Sequence, residues 1–214
     1  TETSVWSNAK KCFPWIIALL ILGTFTTMVL NRLESQQIFT SLPLLISFVP
    51  TLMDTGGNSG GQTTGLMIRG LAIHEFGPKD TLKIMWKELR SALIVALLVA
   101  AFSFFWITME EYTGIVNMGV VTDTSGKVFD FTGMTIWNGS AFTGKYDETG
   151  ALLVSGADFA SHSLIFASLV SATMFLAITL SKGIGTLLCM GAASIKKDPA
   201  LLAQPLLTTV MDVA

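Results

Sequence analysis

The chain has 214 residues, 51% of them hydrophobic and 13% charged, with a formal net charge of −2. That leaves too few polar residues to cover a soluble core, and the charges fall in blocks between long apolar runs, the pattern of a multi-span membrane protein. No basic patch interleaved with aromatics is present, so nucleic acid is excluded as a partner. Cys12 and Cys189 each sit in an apolar run and read as small apolar side chains, not as a disulfide or a zinc site.

Residues 1–11 are polar and end in Lys10-Lys11, directly before an apolar run over 12–30. This run is longer than a signal h-region and no small-residue cleavage site follows, so it reads as a first transmembrane helix with Pro14 in its first turn. A second apolar segment covers 38–73. As a straight helix it would measure about 50 Å, against a hydrocarbon core of about 30 Å. It must tilt, kink or break at Pro50, loosen at its glycines, or protrude with Arg69 at its inner end.

Inside that segment, Pro50 to Gln62 reads Pro-Thr-Leu-Met-Asp-Thr-Gly-Gly-Asn-Ser-Gly-Gly-Gln. Asp54, Asn58 and Gln62 recur at i, i+4, i+8 and form one polar stripe on a helix. Gly56, Gly57, Gly60 and Gly61 leave almost no side chain beside it, so a hydrated ion or another backbone could approach closely. Polar groups at membrane depth line a cavity, a pore or a helix interface. Two readings follow, a polar helix-packing seam and an ion pathway lined by Asp54, Gly57, Asn58, Gly60 and Gln62.

Pro78 and Asp80, a candidate N-cap, open a basic amphipathic lead-in with Lys83, Lys87 and Arg90, suited to a membrane surface. A third span over 91–108 follows, ended by Glu110-Glu111. Residues 113–158 change character: glycines recur, Asn138-Gly139 marks a turn, and Val128-Phe-Asp-Phe alternates briefly, so a long polar loop with short hairpins is expected. The fourth span covers 161–195 and carries Lys182. Asp198-Pro199 supply an N-cap and N1 pair for a fifth span over 199–214, with Gln204, Thr208, Thr209 and Asp212. The chain opens on Thr, and its fifth helix reaches only about 24 Å before Ala214. It is therefore expected to lack its true start and end.

Nine lysines and arginines, among them Lys10, Lys11, Arg69 and Lys196-Lys197, fall on one side of these spans, and three (Arg32, Lys127, Lys145) on the other. That asymmetry places the amino terminus in the cytoplasm, with the 113–158 loop and the carboxyl terminus outside. Eight acids against three bases on the outer side would concentrate cations at a mouth, or simply form a solvated face.

No H-E-x-x-H, G-x-S-x-G or phosphate loop occurs, so no enzyme is expected. The acids, amides and hydroxyls are hard oxygen donors, which suit magnesium or calcium over zinc or copper. Magnesium sheds water reluctantly, so one carboxylate per subunit, doubled across a two-fold axis, would suffice for a hydrated ion. Magnesium is permitted by this chemistry, not demanded. Asp212, an acid well inside the fifth helix, is the main candidate to face the ion, with Thr208 and Thr209 as further oxygen donors. Lys182 lies at a depth comparable to Asp54, so the two are expected to form an intramembrane ion pair. Its rivals are a solvated Lys182 and a Lys182–Asp212 pair.

Met53-Asp-Thr-Gly-Gly-Asn-Ser-Gly-Gly-Gln62 followed by Ile68-Arg-Gly-Leu-Ala72 resembles the second-helix signature of the MgtE family of magnesium channels and transporters. Asp198-Pro-Ala200, Gln204-Pro205 and Thr208-Thr-Val-Met-Asp212 resemble that family's fifth-helix motif. The resemblance covers the whole chain as a single all-α transmembrane domain of five helices per subunit, related to eukaryotic MgtE-like solute carriers. It implies a homodimer in the plasma membrane with a central pore lined by the second and fifth helices. It also implies that Asp212 faces hydrated Mg²⁺ and that Gln204 stands near the inner mouth. Family members usually precede this domain with cytoplasmic regulatory domains, and none is present in these residues. A cation-coupled Mg²⁺ exchanger, or a non-transporting membrane module for packing or partner binding, are the alternatives.

Overall fold

The structure, a computed structural model, describes residues 5–35, 43–123 and 125–213. Its principal helices are α1 (Val5–Ser35), α2 (Pro43–Ala72), α3 (Thr81–Thr113), α4 (Gly156–Ser194) and α5 (Pro199–Val213). Among the described residues, two stretches are long and apolar enough to cross a membrane, Pro78–Thr113 and Gly156–Ser194, and α1 contains a shorter apolar piece, Ile16–Arg32. α1 begins at Val5, before the apolar run, so Pro14 lies in its interior and not in its first turn.

The molecule is organised around α4, against which α2, α3 and α5 all pack, while α1 lies along α5. Its composition makes this placement possible. Ser163, Ala167, Ser171, Ser181, Gly185 and Thr186 are buried, and such small side chains let neighbouring helices come close on several sides. The Ser181 hydroxyl donates to the Gly56 carbonyl, and the Cys189 thiol donates to Thr64 O at 3.7 Å, both on α2. Higher up, Phe48 of α2 meets Phe166 of α4 edge-on, ring centroids 5.4 Å apart. With both halves held against one column, α2 runs through Pro50 and all its glycines as one continuous helix, so of the expected kink or break the break does not occur. The tightest approach is at Gly60. A Cβ there would lie 2.2 Å from Ser181 Oγ and 2.9 Å from Ser181 O, and one on Gly185 would lie 3.0 Å from Gly60 O.

α3 starts at Thr81, nearly three turns before the expected span, because the basic lead-in is the first part of the same helix. Its buried face reads Ile84, Glu88, Ala92, Ala96 at four-residue intervals, turned towards α4. Asp80 does not cap this helix with its side chain; its carboxylate accepts instead from Gly77 N, at 3.0 Å. Asp198 does cap α5, accepting from Ala200 N at 2.9 Å. At the start of α4, Ser155 and Asp158 form a reciprocal capping box, with Asp158 N donating to Ser155 Oγ at 3.0 Å.

Between α3 and α4 the chain builds the expected hairpins. β1 (Val120–Thr122) pairs antiparallel with β2 (Val128–Asp130), and β3 (Lys145–Tyr146) with β4 (Leu152–Val154). Phe129, Phe131 and Met134 of this loop are buried and join Ile107, Phe159 and Phe166 of the helices in one apolar cluster. The loop is thus a cap seated on the helix ends.

Lys145 Nζ reaches Asp130 Oδ2 at 2.8 Å and ties the second hairpin to the first. The Lys145 hydrogen bond, helped by Thr132, pulls the Asp130 carboxyl down to about 2 from its ordinary 3.8. A depressed carboxyl pKa stabilises the fold above the unfolded value and loses that contribution as pH falls through the folded one. The tie should therefore be intact at neutral pH and release only as pH drops from about 3.8 towards 2. Amide protection factors in β2 and β3, each referred to the intrinsic exchange rate at its own pH, report it: Lys145→Met should lower them at pH 7 towards the values the unaltered protein shows only below about pH 2. Equal exchange in both proteins at pH 7 would show that the tie holds nothing.

Candidate functional site

α2 and α5 pack on α4 next to each other and leave an open cleft of about 240 Å³ between them. From α2 it is lined by Met53, Asp54, Gly57 and Asn58, and from α5 by Thr208 and Asp212. The i, i+4 spacing sets Asp54 and Asn58 on one edge, where Asn58 Nδ2 donates to Asp54 Oδ2 at 2.8 Å. That bond takes up an amide N–H and leaves the carbonyl oxygen as the acceptor this side chain can offer. Thr208 and Asp212, also i, i+4, form the opposite edge. Nothing lies within 4 Å of a Cβ built on Gly57, so the cleft floor there is bare backbone.

Chemically, this is a set of hard oxygens: two carboxylates, an amide and a hydroxyl. No cluster of three or more His, Cys, Asp or Glu side chains occurs among the described residues, so there is no all-protein cage for a stripped ion. Since one water needs only about 10–15 Å³ of probe-occupied space, the cleft has room for a cation that keeps its waters. Magnesium, which dehydrates reluctantly and binds through one or two carboxylates, matches that arrangement better than a larger cation that takes about six to eight oxygen ligands and sheds water readily.

Five of the sequence candidates, Asp54, Gly57, Asn58, Thr208 and Asp212, are thereby brought together. Others are not. Gln62 continues the exposed stripe a turn beyond the cleft. Thr209 is half-buried and its hydroxyl donates to Pro205 O at 3.2 Å, back into its own helix. Gly60 is not at the cleft: it is buried against Ser181 and Leu207, because positions 56 and 60 form the face of α2 that meets α4. The side chain of Gln204 lies outside the described residues.

The expected Asp54–Lys182 ion pair is not formed either. Asp54 sits two residues from Gly56, about 200° around the helix, so when Gly56 faces α4 the carboxylate is turned away from it. Lys182 is on α4 and only 7% exposed, so it is not the solvated lysine of the rival reading, nor is it paired with Asp212. The antiparallel register of α3 and α4 is marked by Ser163 Oγ donating to Glu111 Oε2 and by Ala96 clustering with Met174 and Ile178. Carried down the helices, it brings buried Glu88 within about a turn of Lys182 in level. Sequence reasoning passed over Glu88, although it shares a four-residue period with Ala92 and Ala96, and put Glu111 among the outer acids at the end of the third span, where it is in fact buried.

The sequence profile of MgtE, described as a divalent cation transporter, matches residues 49–214, the stretch that contains every cleft residue. The chain is 23% identical over 212 residues to the magnesium transporter MgtE of Bacillus subtilis, covering 99% of this chain and 36% of that protein. It is 25% identical over 199 residues to the magnesium transporter MgtE of Thermus thermophilus, covering 93% of this chain and 32% of the relative. For the magnesium transporter MgtE of Enterococcus faecalis the figures are 26% over 205 residues, 96% and 34%. The chain thus spans about a third of the length of the curated relatives it matches.

Proposed function

Since the chain belongs to the MgtE family of divalent cation transporters, we propose that the cleft between α2 and α5 is one wall of a path for hydrated Mg²⁺ through a membrane. The family is one of transport, not catalysis, and its members are membrane proteins. The observation that carries the reading is the meeting of Asp54 and Asn58 with Thr208 and Asp212 on one open surface of two adjacent helices. Within a bilayer such a polar, open surface has to be covered, because exposed polar groups at membrane depth are costly. A second copy placed across a two-fold axis covers it with an identical wall and doubles the carboxylates, leaving a central water-filled path.

In this reading the five principal helices cross the membrane, α2 tilted or kinked enough to fit its 30 residues. The amino terminus is cytoplasmic, and the hairpin cap between α3 and α4 is outside, in the plasma membrane. Other divalent ions are expected to compete in proportion to how readily they pass with their water shell. The test is flux: the chain reconstituted in liposomes should carry Mg²⁺ down an imposed gradient, with no sodium gradient required. Vesicles no leakier to Mg²⁺ than empty ones would reduce the cleft to a packing or partner surface, and flux that demands a sodium gradient would make the protein an exchanger.

A further inference from the structure

A second open cavity, of about 400 Å³, lies at the other end of α3, where the chain enters the helix from α2. Three cations line it, Lys83, Lys87 and Arg90, together with Trp86 and the carboxylates of Glu75 and Asp80. None of these belongs to the cleft between α2 and α5. The cations recur at i, i+4, i+7, so they form one stripe on α3. The same stripe continues as Ile94 and Leu97, each 64% exposed, once the helix becomes apolar. Charge gives way to exposed hydrocarbon-loving surface along a single face, within one turn. Trp86 is 60% exposed beside this junction and the Arg90 guanidinium stands 6.0 Å from its ring centroid, which holds the cation at the level of the indole. Tryptophan and snorkelling lysines and arginines are the residues that settle at a membrane–water interface.

We propose that this cavity binds the headgroup of an anionic phospholipid of the phosphatidylglycerol type, its phosphate on Lys83, Lys87 and Arg90 and its acyl chains along Ile94 and Leu97. The inference rests on reading α3 as a membrane span and is independent of what the α2–α5 cleft conducts. A free phosphate or a soluble anion would use the cations alone and would gain nothing from the apolar continuation of the stripe; a lipid uses both. The two carboxylates select within the lipids. Asp80 and Glu75 sit at the far rim from the apolar part of the helix, and Asp80 already accepts from Gly77 N at 3.0 Å. Acceptors there repel a second phosphate but receive hydrogen bonds from the hydroxyls of a glycerol headgroup. Glu88, the remaining acid of this helix stretch, is buried on the opposite side and plays no part.

Native mass spectrometry of the delipidated chain in detergent tests the site without any transport readout. Phosphatidylglycerol should remain bound at least about tenfold more tightly than phosphatidylcholine, since three cations attract a lipid of net negative charge and gain nothing from a neutral one. The triple variant Lys83→Gln, Lys87→Gln, Arg90→Gln should lose that preference, whereas Lys196→Gln with Lys197→Gln, which also removes cationic charge from this side, should keep it. Glu75→Gln should narrow the preference for phosphatidylglycerol over phosphatidic acid. The proposal is overturned if the triple variant keeps its preference, or if the control pair loses as much, which would make the binding general charge attraction. It is also overturned if inorganic phosphate or glycerol phosphate strips the lipid completely, since the cavity would then be a soluble-anion site. An unchanged phosphatidic acid ratio in Glu75→Gln overturns the hydroxyl assignment. Circular dichroism at full helix content in all variants keeps each outcome readable, since all of the substituted side chains are on the surface.

Discussion

Asp212→Asn is expected to cut Mg²⁺ flux at least tenfold while leaving the helices and the assembly intact. The side chain is half-buried on α5 at the edge of the cleft, and asparagine preserves its shape. What changes is charge. A divalent ion about 5 Å from one carboxylate, at an effective dielectric of about 20, gains about 6–7 kcal/mol before its water shell is counted. Even a quarter of that exceeds the 1.4 kcal/mol that corresponds to tenfold in an equilibrium constant. Asp54, across the cleft, is exposed and already shares its Oδ2 with Asn58, so Asp54→Asn should cost less. Equal flux in Asp212→Asn and the unaltered protein, at matched protein content, would remove Asp212 from the path.

The second large effect separates two neighbouring glycines. Gly57→Leu should leave the protein folded and block flux, because no atom lies within 4 Å of its Cβ position and the new side chain enters the cleft. Leucine is also a better helix former than glycine by close to 1 kcal/mol, so the fold gains slightly. Gly60→Ala should act through the fold instead. Its single added carbon would sit 2.2 Å from Ser181 Oγ, 2.5 Å from Leu207 Cδ2 and 2.9 Å from the Ser181 carbonyl. Relieving that overlap means moving α2 off α4 at its tightest point, at a cost of about 1–3 kcal/mol. Thermal unfolding in detergent should therefore fall for Gly60→Ala and not for Gly57→Leu, and flux should be lost in both. A Gly57→Leu protein that conducts normally would place the path elsewhere.

The contrast between these two positions also shows what could be read from the sequence and what could not. The i, i+4 spacing of Asp54 and Asn58 was legible, since helical periodicity alone puts them on one face. The four glycines were not separable, because a glycine has no side chain to betray which way it faces. Only the packing on α4 and α5 divides them, turning Gly56 to Met211 and Ala177 and Gly60 to Ser181 and Leu207, and leaving Gly57 open. The packing seam and the proposed ion pathway are thus adjacent faces of one helix, not competing accounts of it.

Lys182 taught the complementary lesson. Counting residues from a helix end gives depth, and depth matched Asp54, but azimuth is fixed by packing and put the carboxylate on the far side of α2. Glu88 was passed over for a related reason: the basic residues of 79–90 suggest a solvated lead-in, while the buried stripe through Ala92 and Ala96 already runs through it. The hairpin cap was legible in outline from its glycines and turn residues. Its seating was not, since contacts such as Phe131 with Phe159, ring centroids 5.8 Å apart, link residues far apart in the chain.

The most direct measurement is the water accessibility of Asn58 in a conducting protein. In a background with Cys12 and Cys189 replaced by alanine, Asn58→Cys should react with a membrane-impermeant thiol reagent, and Mg²⁺ at concentrations that support flux should slow the reaction. Modification should then stop Mg²⁺ flux in the same vesicles, because position 58 lines the cleft opposite Asp212. A conducting protein whose cysteine at 58 stays unreactive, or reacts without any change in flux, would contradict the assignment of the α2–α5 cleft as the ion path.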